Sequence, residues 1–331
     1  NMWNLDHVMS LQYVTSPNDS EHTGKTQFNT SRSVYIVGAS YRIPLYKYGD
    51  SLDMSLGYSN VNSGVVQNLF NVSGAGTIFG LRYNYNLSKW NDIEQRLTFG
   101  WDWRAYRNRV TAVVGGAALV PDITVHPFSA GYTGVYRTGE SETSFNASVH
   151  KNWASGNDGG VQNFNNSRSE AEGNYFITRL GINHIQAFAN EWQGRVALNG
   201  QFTRDRLIPG EQFGVGGSDS VRGFLEREVV NDMGYRGTVE LYTPDYAPSV
   251  SFLPSGSRLR TLFFYDWGYA QRYRPLPGEL MHSGIGSFGF GFRYSRGNNV
   301  SFRMDFASIL DGGGSQNRFD GRAHASFAYI F

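Results

Sequence analysis

The chain has 331 residues, a formal net charge of +1 and no cysteine. A near-neutral charge gives no reason to expect a nucleic-acid partner, and the lack of cysteine excludes disulfides and thiolate metal sites. Mean hydropathy is −0.41, and no apolar run approaches the roughly 18 residues that a membrane-spanning helix needs. A helical membrane protein is therefore excluded. A membrane β-barrel is not, because barrel strands alternate between lipid and lumen and look polar on average.

The choice of aromatic and cationic residues is uneven. The chain has 20 Tyr, 23 Phe and 7 Trp, which is typical of the aromatic girdles of membrane barrels. All cationic residues except Lys25, Lys47, Lys89 and Lys151 are arginine. Arginine forms rigid, multidentate hydrogen bonds, so this preference suits a polar lumen with paired charges, although a lineage bias in composition would give the same pattern.

Strict alternation of apolar and polar residues predicts strands with one apolar face. In 94–107 the aromatic side of the pattern includes Trp101 and Trp103, and in 298–308 Arg303 and Asp305 lie in mid-strand on the opposite side. A soluble sandwich also alternates, but its core faces carry Val, Ile and Leu rather than large aromatic residues. The combination of an aromatic face and a charged face favours a membrane barrel.

We predict fourteen strands, at 6–15, 32–44, 50–60, 76–87, 94–107, 123–137, 141–152, 174–187, 191–204, 234–243, 257–270, 284–294, 298–308 and 321–331. The connections alternate between long ones (16–31, 61–75, 108–122, 153–173, 205–233, 271–283, 309–320) and short ones (45–49, 88–93, 138–140, 188–190, 295–297), with 244–256 as the exception. Short periplasmic turns and long external loops are typical of outer-membrane barrels. The sequence therefore predicts an all-β, antiparallel transmembrane barrel that occupies residues 1–331 and lies in the outer membrane.

The last predicted strand ends on an aromatic face. Phe327, Tyr329 and Phe331 share one side of it. This ending resembles the C-terminal assembly signal of bacterial outer-membrane barrels, although a chance aromatic terminus is the alternative. We therefore expect the barrel-assembly machinery, outer-membrane lipid and lipopolysaccharide as partners.

The longest connection, 205–233, contains the most informative motif. Its glycines do not form a phosphate-binding loop, because no Gly-Lys-Ser/Thr and no helical pattern follow them. Val221, Arg222, Gly223 and Phe224 resemble the tip of the sixth loop in the Omp85 superfamily. The preceding motif residues resemble, more narrowly, the transporters of two-partner secretion, the TpsB branch; these are Gln201, Glu211, Gln212, Phe213, Gly216 and Gly217.

A second motif follows on the next strand but one. Phe264, Asp266 and Gly268 resemble the Phe-x-Asp-x-Gly motif of the same superfamily. By alternation Asp266 lies on the face opposite Tyr265 and Trp267, and we expect that face to line the lumen. The resemblance implies that loop 205–233 folds into the barrel and that Arg222 pairs with Asp266. The alternative is that this pair only helps the barrel to fold.

The resemblance also implies further parts, which we do not find in our count of strands. The superfamily branch has a sixteen-stranded barrel preceded by a plug helix and two periplasmic POTRA domains. The first of our fourteen strands corresponds to the family's third. We therefore expect the first hairpin, the plug helix and the POTRA domains to be absent from this chain, unless the count has missed a hairpin.

The function that the resemblance implies is a protein-conducting channel. It would secrete a large partner exoprotein, such as an adhesin, a haemolysin or a contact-dependent toxin, without a cofactor. The alternatives are a barrel-assembly insertase of the same superfamily and a passive porin, which would leave the loop motif unexplained. The histidines are scattered without metal-ligand spacing, and Ser129 and His150 cannot be paired into a hydrolase from sequence. We therefore expect no metal site, no catalytic residue and no enzyme.

Overall fold

A computed structural model describes residues 5–16, 34–59, 65–66, 70–71, 76–107, 122–313 and 316–330. The fourteen long strands, numbered in chain order, are β1 Val8–Ser16, β2 Val34–Leu45, β3 Asp50–Ser59, β4 Gly76–Asn86, β5 Ile93–Tyr106, β6 Phe128–Arg137, β7 Ser141–Lys151, β8 Phe176–Ala187, β9 Gln193–Thr203, β10 Met233–Tyr242, β11 Ser257–Gln271, β12 His282–Arg296, β13 Val300–Asp311 and β14 Gly321–Tyr329. Each corresponds to one predicted strand. The predicted barrel strands are therefore confirmed, with ends that differ by only a few residues.

The sheet is an antiparallel meander. Each long strand pairs with its neighbours in sequence, and β1 and β14 stand at the two ends of the order. The predicted strand 123–137 is wrong in one respect, because it is two strands: Ile123–Val125 pairs beside β5, and β6 begins at Phe128. Pro127, which has no N–H to donate to a strand ladder, lies at the break, where its carbonyl accepts the N–H of Asp102 at 3.1 Å.

The remaining elements are short. They are a helix, α1 (Val161–Ser167), two 3-10 turns (Ala189–Glu191 and Ala247–Ser249), and two small hairpins, which pair Val65–Val66 with Phe70–Asn71 and Phe213–Val215 with Val229–Asn231. Among the described residues, the helices are all too short and too polar to cross a membrane. The predicted loop 205–233 runs from 204 to 232, and we call it the inward loop. It is partly regular, since the second small hairpin lies within it.

The two faces of the strands differ in exposure. On β11 the side chains of Phe263 and Tyr265 are 53% and 46% exposed, whereas Leu262, Phe264 and Asp266 are buried. Successive side chains of a strand point to opposite faces, so the exposed aromatic residues form the outer wall. Asp266 lies on the inner side, against the inward loop, as the alternation predicts.

The connections at the long-loop end pack into a hydrophobic cluster, which we call the rim core. Its residues come from the end of β5, the short strand Ile123–Val125, the connection between β7 and β8, the start of β8 and the start of the inward loop: Tyr106, Ile123, Val125, Phe164, Ala171, Tyr175, Ile177, Leu207 and Ile208. Phe164 on α1 is fully buried. Burial of apolar side chains stabilises this arrangement, so the rim core fixes the point where the inward loop leaves the wall.

Candidate functional site: the inward loop and its anchors

The tip of the inward loop is held by an ion pair. Arg222 Nε lies 2.7 Å from Asp266 Oδ2, and its Nη2 lies 2.8 Å from Oδ1. The backbone N–H of Arg222 donates to the same carboxylate at 3.1 Å. The two side chains are only 5% and 0% exposed. Bidentate, charge-assisted hydrogen bonds are among the strongest in proteins, and burial keeps salt from screening this one.

Arg222 also contacts two further carboxylates. Its Nη2 lies 2.8 Å from Glu240 Oε1, and its Nη1 lies 3.7 Å from Asp305 Oδ1. Glu240 is shared with Arg195, and Asp305 with Arg293, each at 2.9 Å. With Asp266, three acids therefore balance three arginines. A buried group of charges is tolerated when its members are paired in this way.

The other two residues of the Phe264 motif make room for the loop. The Arg222 guanidinium carbon lies 3.5 Å from the centre of the Phe264 ring, a cation–π geometry. A Cβ at Gly268 would lie 2.1 Å from Val215 Cγ1. Because no real contact is that short, only glycine leaves space here for the loop to approach β11.

The residues around Arg222 fit the tip to the wall. Gly223 has a φ of +97°, a conformation that favours glycine. Its N–H donates to His324 Nε2 on β14 at 3.0 Å. Val221 and Phe224 are fully buried in a hydrophobic cluster with residues of the wall such as Ile309. The whole tip is therefore seated by charge, shape and apolar contact together.

The root of the inward loop has a second anchor on a different part of the wall. Glu211 accepts hydrogen bonds from Arg104 Nη1 at 2.9 and 3.1 Å and from the Tyr106 hydroxyl at 2.7 Å. The side chains of Arg104 and Glu211 are 9% and 2% exposed. Arg104 also pairs with Asp102 at 2.6 Å. This buried chain of charges lies on β5, whereas Asp266 lies on β11.

Two polar side chains, Gln201 and Asp232, hold the two ends of the inward loop together. Gln201 Nε2 donates to the carbonyls of Glu211 and Asp232, at 2.9 and 3.0 Å, and so bridges the two ends of the loop. Asp232 is fully buried. It pairs with Arg168 at 2.5 Å and accepts the N–H of Leu207 at 2.9 Å. The base of the inward loop is thereby joined to the connection that contains α1.

The inward loop therefore crosses the inner side of the sheet from β5 to β11 and β14. Beside its tip remains a polar cavity of about 280 Å³, lined by side chains from the loop and from β9, β10, β12 and β13; the charged ones are Arg195, Asp219, Arg222, Arg236, Glu240, Arg293, Arg303 and Asp305. Such a lining keeps the cavity hydrated. The arrangement can obstruct the lumen at rest and still offer a wet, polar path when the loop is displaced.

The structure brings the predicted motif residues Val221 to Phe224, Phe264, Asp266 and Gly268 into one site; their role in transport stays a prediction. Phe327 and Tyr329 lie elsewhere, on the outer face of β14, where they are 67% and 54% exposed. Phe331 lies outside the described residues.

Sequence reasoning did not identify several partners of the loop, among them Arg104, Glu240 and His324. Arg104 and His324 are separated from their loop partners by 107 and 101 residues. The sequence showed only that each of these polar residues lies on the lumen-facing side of its strand. It did not show which residue of the loop each would contact.

In the part of the chain that the structure describes, no group of His, Asp or Glu residues could hold a metal ion.

Comparison with solved structures gives similar folds at low identity. CdiB from Escherichia coli matches with a TM-score of 0.75 and 16% identity over 100% of this chain. BamA from Haemophilus ducreyi lacking POTRA domains 1–3 matches with a TM-score of 0.60 and 13% identity over 90% of the chain. CdiB from Acinetobacter baumannii matches with a TM-score of 0.50 and 14% identity over 98% of the chain.

The chain spans 58%, 64% and 66% of those three proteins, respectively, and so less than two thirds of each. No curated protein matches it by sequence. A family model does, over residues 3–294. The barrel fold agrees with this match, and the family that it indicates implies an outer-membrane location. The chain belongs to the family of haemolysin secretion/activation proteins ShlB/FhaC/HecB.

Proposed function

We propose that this barrel is the outer-membrane pore through which a large partner exoprotein is secreted by two-partner secretion. The observation that carries the proposal is the inward loop, seated in the lumen by buried ion pairs at both its tip and its root. Membership of a haemolysin secretion/activation family supports it. A passive porin would leave the loop motif Val221 to Phe224 unexplained.

The mechanism follows from the balance of charges. At rest the inward loop fills the lumen, and its buried arginines are matched by carboxylates on the wall. Displacing the tip exposes both sets of charges to water, which compensates for part of the lost pairing. The exposed Arg, Asp and Glu side chains then line a hydrated path for an unfolded polypeptide. The cargo's folding outside supplies the driving force.

The proposed orientation places the long connections outside the cell and the short turns in the periplasm. The cargo enters from the periplasmic end, and the aromatic outer wall contacts membrane lipid and lipopolysaccharide. The barrel-assembly machinery inserts the chain and reads its C-terminal strand. Adhesins, haemolysins and contact-dependent toxins are the expected classes of cargo.

A reconstituted assay tests this function. The full chain in proteoliposomes should move its partner exoprotein into a protease-protected compartment, whereas an unrelated exoprotein should stay outside. Two parallel measurements address the alternatives: the folding of another outer-membrane barrel in the same vesicles, and the flux of small solutes. Assistance of barrel folding without cargo movement would favour an insertase, and free solute flux without cargo movement would favour a porin.

A further inference from the structure

A groove on the outer wall combines apolar side chains with two cations. It has a volume of about 710 Å³ and lies at the long-loop end of β7 to β10. Its apolar lining includes Phe176, Phe202 and Met233, and Lys151 and Arg204 lie at its edge. Phe176 and Phe202 are 45% and 47% exposed on the outward face. In a membrane this face meets lipid rather than water.

The strand register places the two cations on either side of one aromatic ring. Lys151 on β7 is paired directly with Phe176 on β8. Ile177 is paired with Thr203, so the next residue, Arg204, comes level with Phe176 on the other side. Adjacent strands are about 4.8 Å apart, which puts the backbones of the two cationic residues about 10 Å apart. Both side chains are long enough to converge on one anionic group above the ring.

The next row of side chains, toward the middle of the barrel wall, carries no charge and is mostly apolar. There the ladder aligns Val149, Thr178 and Phe202 across the same three strands. Cations therefore occupy the rim of the groove, and apolar side chains occupy the part that lies deeper in the membrane. This division matches a lipid with a phosphorylated headgroup and acyl chains.

The charges of both cations remain available. Lys151 donates to the backbone carbonyl of Asn174 at 2.6 Å, and within the described part of the chain neither Lys151 nor Arg204 forms an ion pair. Other arginines at this end do, as Arg206 does with Glu170. Asp205 also lines the groove, but its carboxylate accepts the N–H of Phe176 at 2.6 Å and so points at the strand end.

We propose that this groove is a binding site for a phosphorylated lipid of the outer leaflet, whose phosphate lies between Lys151 and Arg204 and whose acyl chain packs on Phe176 and Phe202. Charge-assisted bonds from two cations to one phosphate are strong. The inference depends on the orientation of the barrel in the membrane and is independent of any cargo.

The test uses the full chain in detergent and lipid A as the probe, with native mass spectrometry to count bound lipid. Bisphosphorylated lipid A should bind more tightly than lipid A without phosphates. The variant Lys151→Gln/Arg204→Gln should bind it roughly 25-fold more weakly, at about fivefold for each cation removed. The matched control, Lys47→Gln/Lys89→Gln, makes the same charge change in the short turns at the opposite end and should bind as the unaltered chain does.

Other outcomes would overturn the site. Equal losses in both double variants would indicate general attraction of an anionic lipid to a cationic protein. Equal binding of dephosphorylated lipid A would leave only an apolar groove. Competition by inorganic phosphate at the same concentration as the lipid would indicate a phosphate site without a lipid role. Because none of these measurements uses an exoprotein, failure of secretion in the reconstituted assay leaves this result intact.

Discussion

Arg222 and Asp266 are not equivalent halves of their ion pair. Without Asp266, Arg222 keeps Glu240 at 2.8 Å and Asp305 at 3.7 Å. Without Arg222, Glu240 keeps Arg195 and Asp305 keeps Arg293, but Asp266 has no ion-pair partner left among the described residues. An uncompensated buried charge costs more than the pair itself contributes. The loss of the arginine should therefore be the more damaging of the two.

Arg222→Ala should accordingly lower secretion more than Asp266→Ala, with a cost to loop seating on the order of 1–3 kcal/mol. The lipid-facing wall is untouched, so the barrel should still insert. The measurement is cargo secreted per folded barrel in both single variants and the double variant. If the two sites act as one, the double variant will resemble Arg222→Ala. Normal secretion in Arg222→Ala would contradict the role of the tip anchor.

Gly268→Ala should displace the inward loop without removing a charge. The new methyl group would meet Val215 Cγ1, and overpacking of this kind typically costs about 1–3 kcal/mol. The expected result is faster protease cleavage within the loop and a lower temperature for the loss of the folded, heat-modifiable form. Gly139→Ala is the matched control, since no atom lies within 4 Å of a Cβ there. Equal behaviour of the two variants would argue against the tight fit.

Single residues differ in how far the sequence could predict them. The inward orientation of Asp266 followed from a period of two, because its neighbours Tyr265 and Trp267 are large aromatic residues. The contact of Gly223 with His324 could not be predicted. It depends on how the loop turns and on which strand its tip reaches, and the alternation of β14 records only the face on which His324 lies.

At the scale of elements, the inward loop is held against the wall at two separate places. Its root is tied to β5 through Arg104 and Glu211, and its tip to β11 through Asp266. The anchors are separate sets of side chains on distant strands. Either can therefore be tested while the other is left in place.

Removal of the root anchor should loosen the resting pore. Glu211→Gln leaves Arg104 with Asp102 alone, and breaking a buried pair typically costs about 3–5 kcal/mol. The expected result is a higher single-channel conductance at rest. Glu142→Gln, which removes an exposed partner of Arg137, is the control. Resting conductance that is the same in both would refute the second anchor.

The sequence predicted the long strands well and the short elements poorly. Eight or more alternating residues give a clear period, as in β5 and β11. The hairpin of Phe213–Val215 and Val229–Asn231 has only three residues in each strand, too few to show a period. The strand break before Phe128 was missed because alternation resumes beyond Pro127 with little change, although a proline within a strand is itself a warning.

At the scale of the whole molecule, the barrel has two unlike ends, and its orientation can be measured directly. The chain contains no cysteine, so single cysteines can be labelled without background. Gln162→Cys, at an exposed position of α1, should react with a membrane-impermeant maleimide on intact cells. Gly139→Cys, in a short turn at the other end, should react only after the outer membrane is opened. Labelling of both positions on intact cells, or of Gly139→Cys alone, would reverse or reject the orientation.

The sequential order of the strands has a consequence for how the barrel is completed. Each strand pairs with the one before it in sequence, so the wall can be assembled one hairpin after another. The inward loop is different, because the N–H of Gly223 finds its acceptor, His324, only on the last strand. A partly grown wall can thus hold the root of the loop at β5 but cannot fully receive its tip. The tip can engage Asp266 once β11 is in place, but its seating is completed only when β14 supplies His324.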